Sequence, residues 1–406
     1  MAGDIAEKDS ITEVSDVFIS HGDEFRSNNA MTEKQHNVMN NIMNCRTEWF
    51  GYHKDQCDNC GHIESDFNSC RDRHCPKCQA VSRKKWINAR LGDILPVPYY
   101  HIVFTLPHLL YDILRYNKKL IYDLLFSSAS QTLLAFGHDP KWLGGEIGFF
   151  GVLHSWGQTL WPHPHLHFIV PGGALSEEGR WITPPYSGKF LFPVQALSKV
   201  FKGKFIKGLK EARLSGDLVM PPEMACSNET IRFESWLNRF AARKWMVYCK
   251  SPLKNPEQVV RYIGRYTHRV AIANSRILDV KDDKVTFKYK DYKDSRISWK
   301  VMTLDAPEFI RRFLWHVLPA GFHKIRHFGY LANGRSKANI ALIKRLLDMP
   351  RADNDAEKTG DWQKICPACE KGVLIPQIIV SRYRRMALTV SSFFKRVHGQ
   401  YAYDST

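Results

Sequence analysis

YYHIVFTL, residues 99–106, is a run of apolar residues of strand length that Pro107 ends. From 110 to 136 (LYDILRYNKKLIYDLLFSSASQTLLAF) the apolar positions take up helical spacing. EIGFFGVLHSW (146–156) and HPHLHFIVPGG (163–173) read as two more strands, joined by a loop rich in tryptophan and proline and closed by a Pro-Gly-Gly stop. Residues 193–214 predict a basic helix, 222–244 contain another, and WMVYCK (245–250) is a short strand. NPEQVVRYIGRYTHR (255–269) opens with Asn255 as N-cap and Pro256 in the first turn, which predicts a helix. VAIANSRIL, KVTFKYKDY and ISWKVMTL (270–304) read as strands, and APEFIRRFLWHVL as a helix. Upstream, 31–45 suits a short helix and VSRKKWINARLGDIL (81–95) a basic one.

Strands and helices mix without regular alternation, and the strands of 270–304 are close enough to form antiparallel meanders, so the fold class is α+β. Four parts are expected: a frayed polar extension over 1–30, a cysteine-rich module over 31–92, an α+β domain over 95–348, and a linker with a cysteine pair and a basic tail over 349–406. No apolar run reaches the length of a membrane span and the N-terminus is polar and acidic, which predicts a soluble cytoplasmic protein with no membrane partner.

Charge narrows the partner. Lysine and arginine outnumber aspartate and glutamate 58 to 41, a net charge of +17. Such an excess favours a polyanion, most often nucleic acid. Six of the ten cysteines fall between 45 and 78 and two more at 366 and 369. Clustered cysteines in a chain without a secretion signal point to metal rather than disulfides. Cys57/Cys60 and Cys75/Cys78 form C-x2-C pairs fourteen residues apart, the spacing of a zinc site. Cys45, His53, Cys70 and His74 suffice for a second ion, and the two sets interleave, so ligands can be exchanged between them. Cys366 and Cys369 supply only two ligands: half of a further site or a bare loop. Arg71, Arg73, Lys84 and Lys85 lie around the block and can meet phosphates.

Side chains alternate faces on a strand, so His165 and His167 share one face while Leu166, Phe168 and Val170 face the core. Two imidazoles at i and i+2 can reach one divalent cation. The plain alternative is a pair of solvent-facing histidines. The third ligand is open among Gln158, His101 and Gln258, with Gln158 in the adjacent turn preferred. On the helix of 255–269, Tyr262 and Tyr266 share a face, and Arg261, Arg265 and Arg269 form a basic stripe beside them. Taken alone this is ordinary helix packing; beside a metal it is a phenol nucleophile with guanidiniums for phosphate oxygens.

In their order along the chain, NSCRDRHCPKCQ, HIVFTLPH, LHSWGQTLWPHPHLHFIVPGG, RYIGRYTHRVAI and HVLPAGFHKIRHFGYLAN resemble the two-tyrosine insertion-sequence transposases of the IS-ninety-one type, which are HUH endonucleases. The resemblance runs from about 35 to 375. It implies a palm-like antiparallel sheet, a catalytic magnesium or manganese on His165 and His167, paired nucleophiles Tyr262 and Tyr266, one or two structural zincs, single-stranded DNA as substrate, the host replication machinery as partner, and a place on the bacterial nucleoid. Relaxases and replication initiators share the chemistry: relaxases place the tyrosine before the histidines, and initiators of this order lack the cysteine block. A zinc-dependent DNA-binding protein without cleavage activity is the remaining reading.

Overall fold

The computed structural model describes residues 12–79, 83, 84, 86–88, 93–184, 191–225, 228–253, 262, 264, 270–291, 298–348, 364–381 and 384–389. They fall into two compact units: 1–79 with 273–285 and 351–406, and 80–272 with 286–350. Strands are numbered β1–β15 and helices α1–α8 in chain order.

The first unit draws on three stretches of chain. Where a frayed extension was expected, residues 14–28 form helix α1 (Val14–Asn28), because Val14, Val17, Phe18 and Phe25 fall on one face and are buried. Glu13 and Asp16 close its N-terminus as a capping box. Thr32 and Gln35 do the same for α2 (Glu33–Met43). Strand β1 (Gly51–Cys57) pairs on one side with β2 (Ile63–Phe67) and on the other, from more than 300 residues away, with β14 (Val373–Ser381). β13 (Lys364–Ile365) and β15 (Arg384–Thr389) also pair with β14. Strands β13, β14 and β15 are therefore part of the cysteine-rich unit rather than a separate tail.

The second unit is built on a five-stranded sheet of order β12-β4-β5-β3-β8, antiparallel throughout. Its strands are β3 (Tyr99–Thr105), β4 (Gly148–Trp156), β5 (Pro162–Pro171), β8 (Met246–Leu253) and β12 (Ile325–Gly329). One face carries Ile102, Phe104, Phe149, Leu153, Leu166, Phe168 and Val170, all in the main core. Against it pack α4 (Lys118–His138) through Ile121, Leu125 and Ala129, and α5 (Val194–Leu214) through Leu197, Phe201, Phe205 and Leu209. Burial at every fourth position is what makes these two segments helices of this fold. The expected long helix of 110–136 is broken: α3 (Tyr111–Tyr116) stops at Asn117, whose amide donates to the Ile113 and Val219 carbonyls and accepts from the Val219 N–H.

The remaining elements are the short hairpin β6 (Ala174–Leu175)–β7 (Trp181–Ile182), helix α6 (Glu229–Ala242), and a three-stranded sheet of β9 (Ile277–Lys281), β10 (Lys284–Asp291) and β11 (Ser298–Asp305). Helices α7 (Ala306–Trp315) and α8 (Ser336–Leu346) follow. The expected strand at 270–278 starts only at Ile277, because Asn274–Arg276 make a 3-10 turn first. No described helix is long and apolar enough to cross a membrane.

Candidate functional site

Alternation on β5 puts His163, His165, His167 and Ile169 on the face opposite the main core. The neighbouring strands bring partners to that face: His154 of β4 lies across from His165, and His101 of β3 across from Ile169. At the far end of the same face Tyr99, Phe150, Val152 and Ile169 join a smaller core, so the face is apolar at one end and imidazole-lined at the other. The ligand nitrogens of His154, His165 and His167 all lie within 4.8 Å of one another, a group able to hold a metal ion. His154 and His167 are buried and His165 is half-buried.

Each ring is held from behind. His165 Nδ1 donates to the His163 carbonyl at 2.6 Å, which leaves Nε2 with its lone pair for a cation. His167 Nδ1 meets His101 Nε2 at 2.8 Å, again leaving Nε2. The His154 ring stacks on Trp156, centroids 4.7 Å apart, and Lys324 lies over that indole. The 157–161 turn between β4 and β5 is pinned by His316, which contacts Ser155 Oγ at 3.1 Å and donates to the Leu160 carbonyl at 2.9 Å. Such outer partners fix ligand orientation.

Among the described residues, the phenol of Tyr262 reaches this network. Tyr262 Oη is 2.7 Å from His101 Nδ1, so a single imidazole bridges Tyr262 and His167. Lys250, opposite His101 on β8, lies 5.4 Å from the centre of the Tyr262 ring. Burial, and secondarily the Lys250 charge, hold His101 down at about 3, so its ring is neutral at physiological pH.

The cysteines form two four-thiol clusters: Cys45, Cys70, Cys75 and Cys78, and Cys57, Cys60, Cys366 and Cys369. Sulfur pairs stand 3.5–3.7 Å apart. A tetrahedron with zinc–sulfur bonds of ~2.3 Å has edges of about 3.8 Å, whereas a disulfide needs ~2.05 Å. Backbone N–H groups of Cys60, Asp72 and Gly372 donate to Cys57, Cys70 and Cys369 sulfurs at 3.4 Å, as in tight knuckles. A Cβ at Gly372 would stand 2.5 Å from Cys57 Sγ and 2.6 Å from Asn59 Cβ. Gly372→Ala is therefore expected to open that knuckle at a cost of about 1–3 kcal/mol, weakening zinc binding at this cluster roughly 5–150-fold; competition with a chromophoric chelator reads it out.

This assignment corrects the expected ligand sets. Cys57/Cys60 and Cys75/Cys78 belong to different clusters, and Cys366/Cys369, expected as a half-site or a bare loop, complete one of them. His53 instead contacts Asn68 Oδ1 at 3.3 Å and stands near Asp55 and Asp66. His74 Nδ1 donates to Asp72 at 2.9 Å; burial would raise that carboxyl, but the His74 contact holds it at about 2.

Comparison with known proteins gives this arrangement a lineage. Residues 148–339 match a family model described as "Putative transposase", and 17–106 match a "Transposase zinc-binding domain" model of the IS91 type. The "Putative transposase y4qJ" of Sinorhizobium fredii is 43% identical over 377 residues, covering 89% of this chain and 94% of that protein. The transposase for insertion sequence element IS801 of Pseudomonas savastanoi pv. phaseolicola is 30% identical over 298 residues, 72% of this chain and 69% of that one. The chain belongs to the IS91 family of transposases. No solved structure matches it.

Within this transposase, His165 and His167 come together as the strand pattern anticipates. The imidazole that joins them is that of His154, which the sequence reading did not weigh. Gln158 lies in the following turn, His101 stands behind His167, and Gln258 lies outside the described residues. So do Tyr266, Arg261, Arg265, Arg269 and Lys85. Of the expected phosphate contacts, Arg71 and Lys84 are exposed, while burial lowers Arg73. Trp161 is exposed, with Arg312 5.0 Å from its ring, while Tyr330 is fully buried in the smaller core. The His154–His165 pairing depends on a register shift between His154 and Trp156: the turn closes on Trp156 opposite Pro162, and only beyond that irregularity does 154 face 165, so turn length alone does not reveal it.

Proposed function

We propose that this transposase cuts and rejoins single-stranded DNA through a phosphotyrosine link, in rolling-circle transposition. The observation that carries the reading is the unbroken hydrogen-bonded run from Tyr262 through His101 to His167, ending in the three-histidine group. Tyr262 attacks the scissile phosphodiester: its Oη–P bond forms, the bond from phosphorus to O3′ breaks, and the phenol proton is balanced by one on the departing 3′-hydroxyl. The 5′ end stays on the tyrosine, so no bond energy is lost to water and the strand can be passed on. Tyr266 is the second nucleophile, which lets one phenol hold a cut end while the other cuts a second junction. Host replication extends the freed 3′ end.

Three imidazoles suit a transition-metal dication better than magnesium, which prefers oxygen, so manganese is the better fit of the two. A cation held there supplies Lewis-acid polarisation of the phosphate. Arg261, Arg265 and Arg269 are proposed to bind phosphate oxygens bidentately and balance charge in the transition state. Arg71, Arg73, Lys84 and Lys85 are proposed to track the backbone, and the net charge of +17 makes affinity fall steeply with salt.

The test is direct. Incubated with single-stranded transposon-end oligonucleotides and manganese, the protein is expected to give a DNA adduct that survives denaturing electrophoresis. Changing both Tyr262 and Tyr266 to phenylalanine removes the adduct and leaves DNA binding within about twofold, as expected for groups that act in the transition state rather than in binding. Adducts that persist in the double variant reject the nucleophile assignment. Wild-type protein that binds DNA without ever forming adducts favours the non-enzymatic reading.

A further inference from the structure

We propose that His101 is a positioning residue that fixes the nucleophile and a metal-binding histidine with one ring, one nitrogen serving each. The proposal rests on the reading of Tyr262 as nucleophile. His101 is 4% exposed and lies on β3, an interior strand of the sheet flanked by β5 and β8. Its Nε2 is 2.8 Å from His167 Nδ1 and its Nδ1 is 2.7 Å from Tyr262 Oη. The His101 and His167 rings lie nearly parallel at 15°, and the Tyr262 ring stands edge-on to His101 at 75°, so three side chains on three elements lock one another.

The proton positions follow from valence. When His167 gives Nε2 to a cation, its Nδ1 carries hydrogen and must donate, so His101 Nε2 accepts. A neutral ring then has its single N–H on Nδ1, and that N–H points at the phenol oxygen. The donated hydrogen leaves a lone pair of Oη free to face the phosphate. In strand joining, the Oη–P bond breaks and negative charge develops on that oxygen, where the same N–H receives it. His101 therefore aids cutting and joining alike without touching DNA or cation.

Glutamine and asparagine separate the two contacts, because a glutamine amide reaches the place of Nε2 and an asparagine amide that of Nδ1. The parent is the full chain carrying Tyr266→Phe, so that any adduct is formed by Tyr262. Manganese affinity is read by calorimetry and adduct rate at saturating manganese by denaturing gel. In this parent, His101→Gln is expected to keep manganese affinity and lose about 10–100-fold in adduct rate, while His101→Asn loses about 10–100-fold in affinity and keeps most of the rate. His101→Ala loses both.

Equal behaviour of the glutamine and asparagine variants, whether both match the parent or both match alanine, overturns the proposal while leaving the nucleophile reading intact. A parent that binds manganese yet forms no adduct refutes the Tyr262 assignment, and the proposal with it. Circular dichroism of each variant establishes that the comparison is between folded proteins.

Discussion

Alanine at His154 is expected to abolish manganese binding at the histidine face and to slow adduct formation about a thousandfold. The two histidines of β5 alone leave a cation with too few nitrogens, and a Lewis acid contributes several kcal/mol to the transition state, each ~1.4 kcal/mol being tenfold in rate. The side chain is buried between Trp156 and His167, so its removal also frees the facing indole. Zinc content and circular dichroism should not change, because the cysteine clusters lie in the other unit. Gln158→Ala is the companion measurement and should leave manganese affinity as it is. If Gln158→Ala loses the cation and His154→Ala retains it, the ligand set is the one read from the sequence, and the three-histidine group is only a packed cluster.

The second large effect concerns Cys366 and Cys369. Changing both to serine is expected to lower zinc from two ions per chain to one, leaving the Cys45/Cys70/Cys75/Cys78 site loaded. An apparent binding free energy of about 10–16 kcal/mol is typical of a structural zinc, far more than the pairing of β14 with β1 can supply. The Val373 N–H bond to Asp58 and the Lys364 contacts with Glu64 and Asp66 should go with the metal. Elemental analysis gives the count, and hydrogen exchange along β1 reads the loss of its partner. A double variant that still carries two zincs, with β1 amides protected, rules out this ligand set.

What could be read from the residues was whatever depends on neighbours in the chain. Alternation assigned the two faces of β5 and so brought out His165 and His167. Four-residue spacing brought out Tyr262, and C-x2-C pairs brought out the thiols. What escaped depends on partners set by register or by distance. His154 is one imidazole on a strand that otherwise reads as apolar, and only pairing with β5 gives it company. His101 was read as a candidate third ligand, and only the sheet shows it standing behind His167 and against Tyr262 instead. Cys366 lies 306 positions from Cys60, beyond any local pattern. Helix α1 was missed for another reason: its polar positions outnumber its apolar ones, and only the spacing of Val14, Val17, Phe18 and Phe25 marks the buried side.

The distance between β1 and β14 also sets an order of events during synthesis. β1 leaves the ribosome early, but two of the four thiols of its cluster follow Cys60 by 306 residues or more, and its second hydrogen-bonding partner comes later still. At about 5–20 residues per second that interval is roughly 15–60 s. The histidine sheet, whose strands all lie between 99 and 329, is complete before then. In the nascent transposase the strands of the histidine sheet are thus all made before the last strands and thiols of the four-cysteine module.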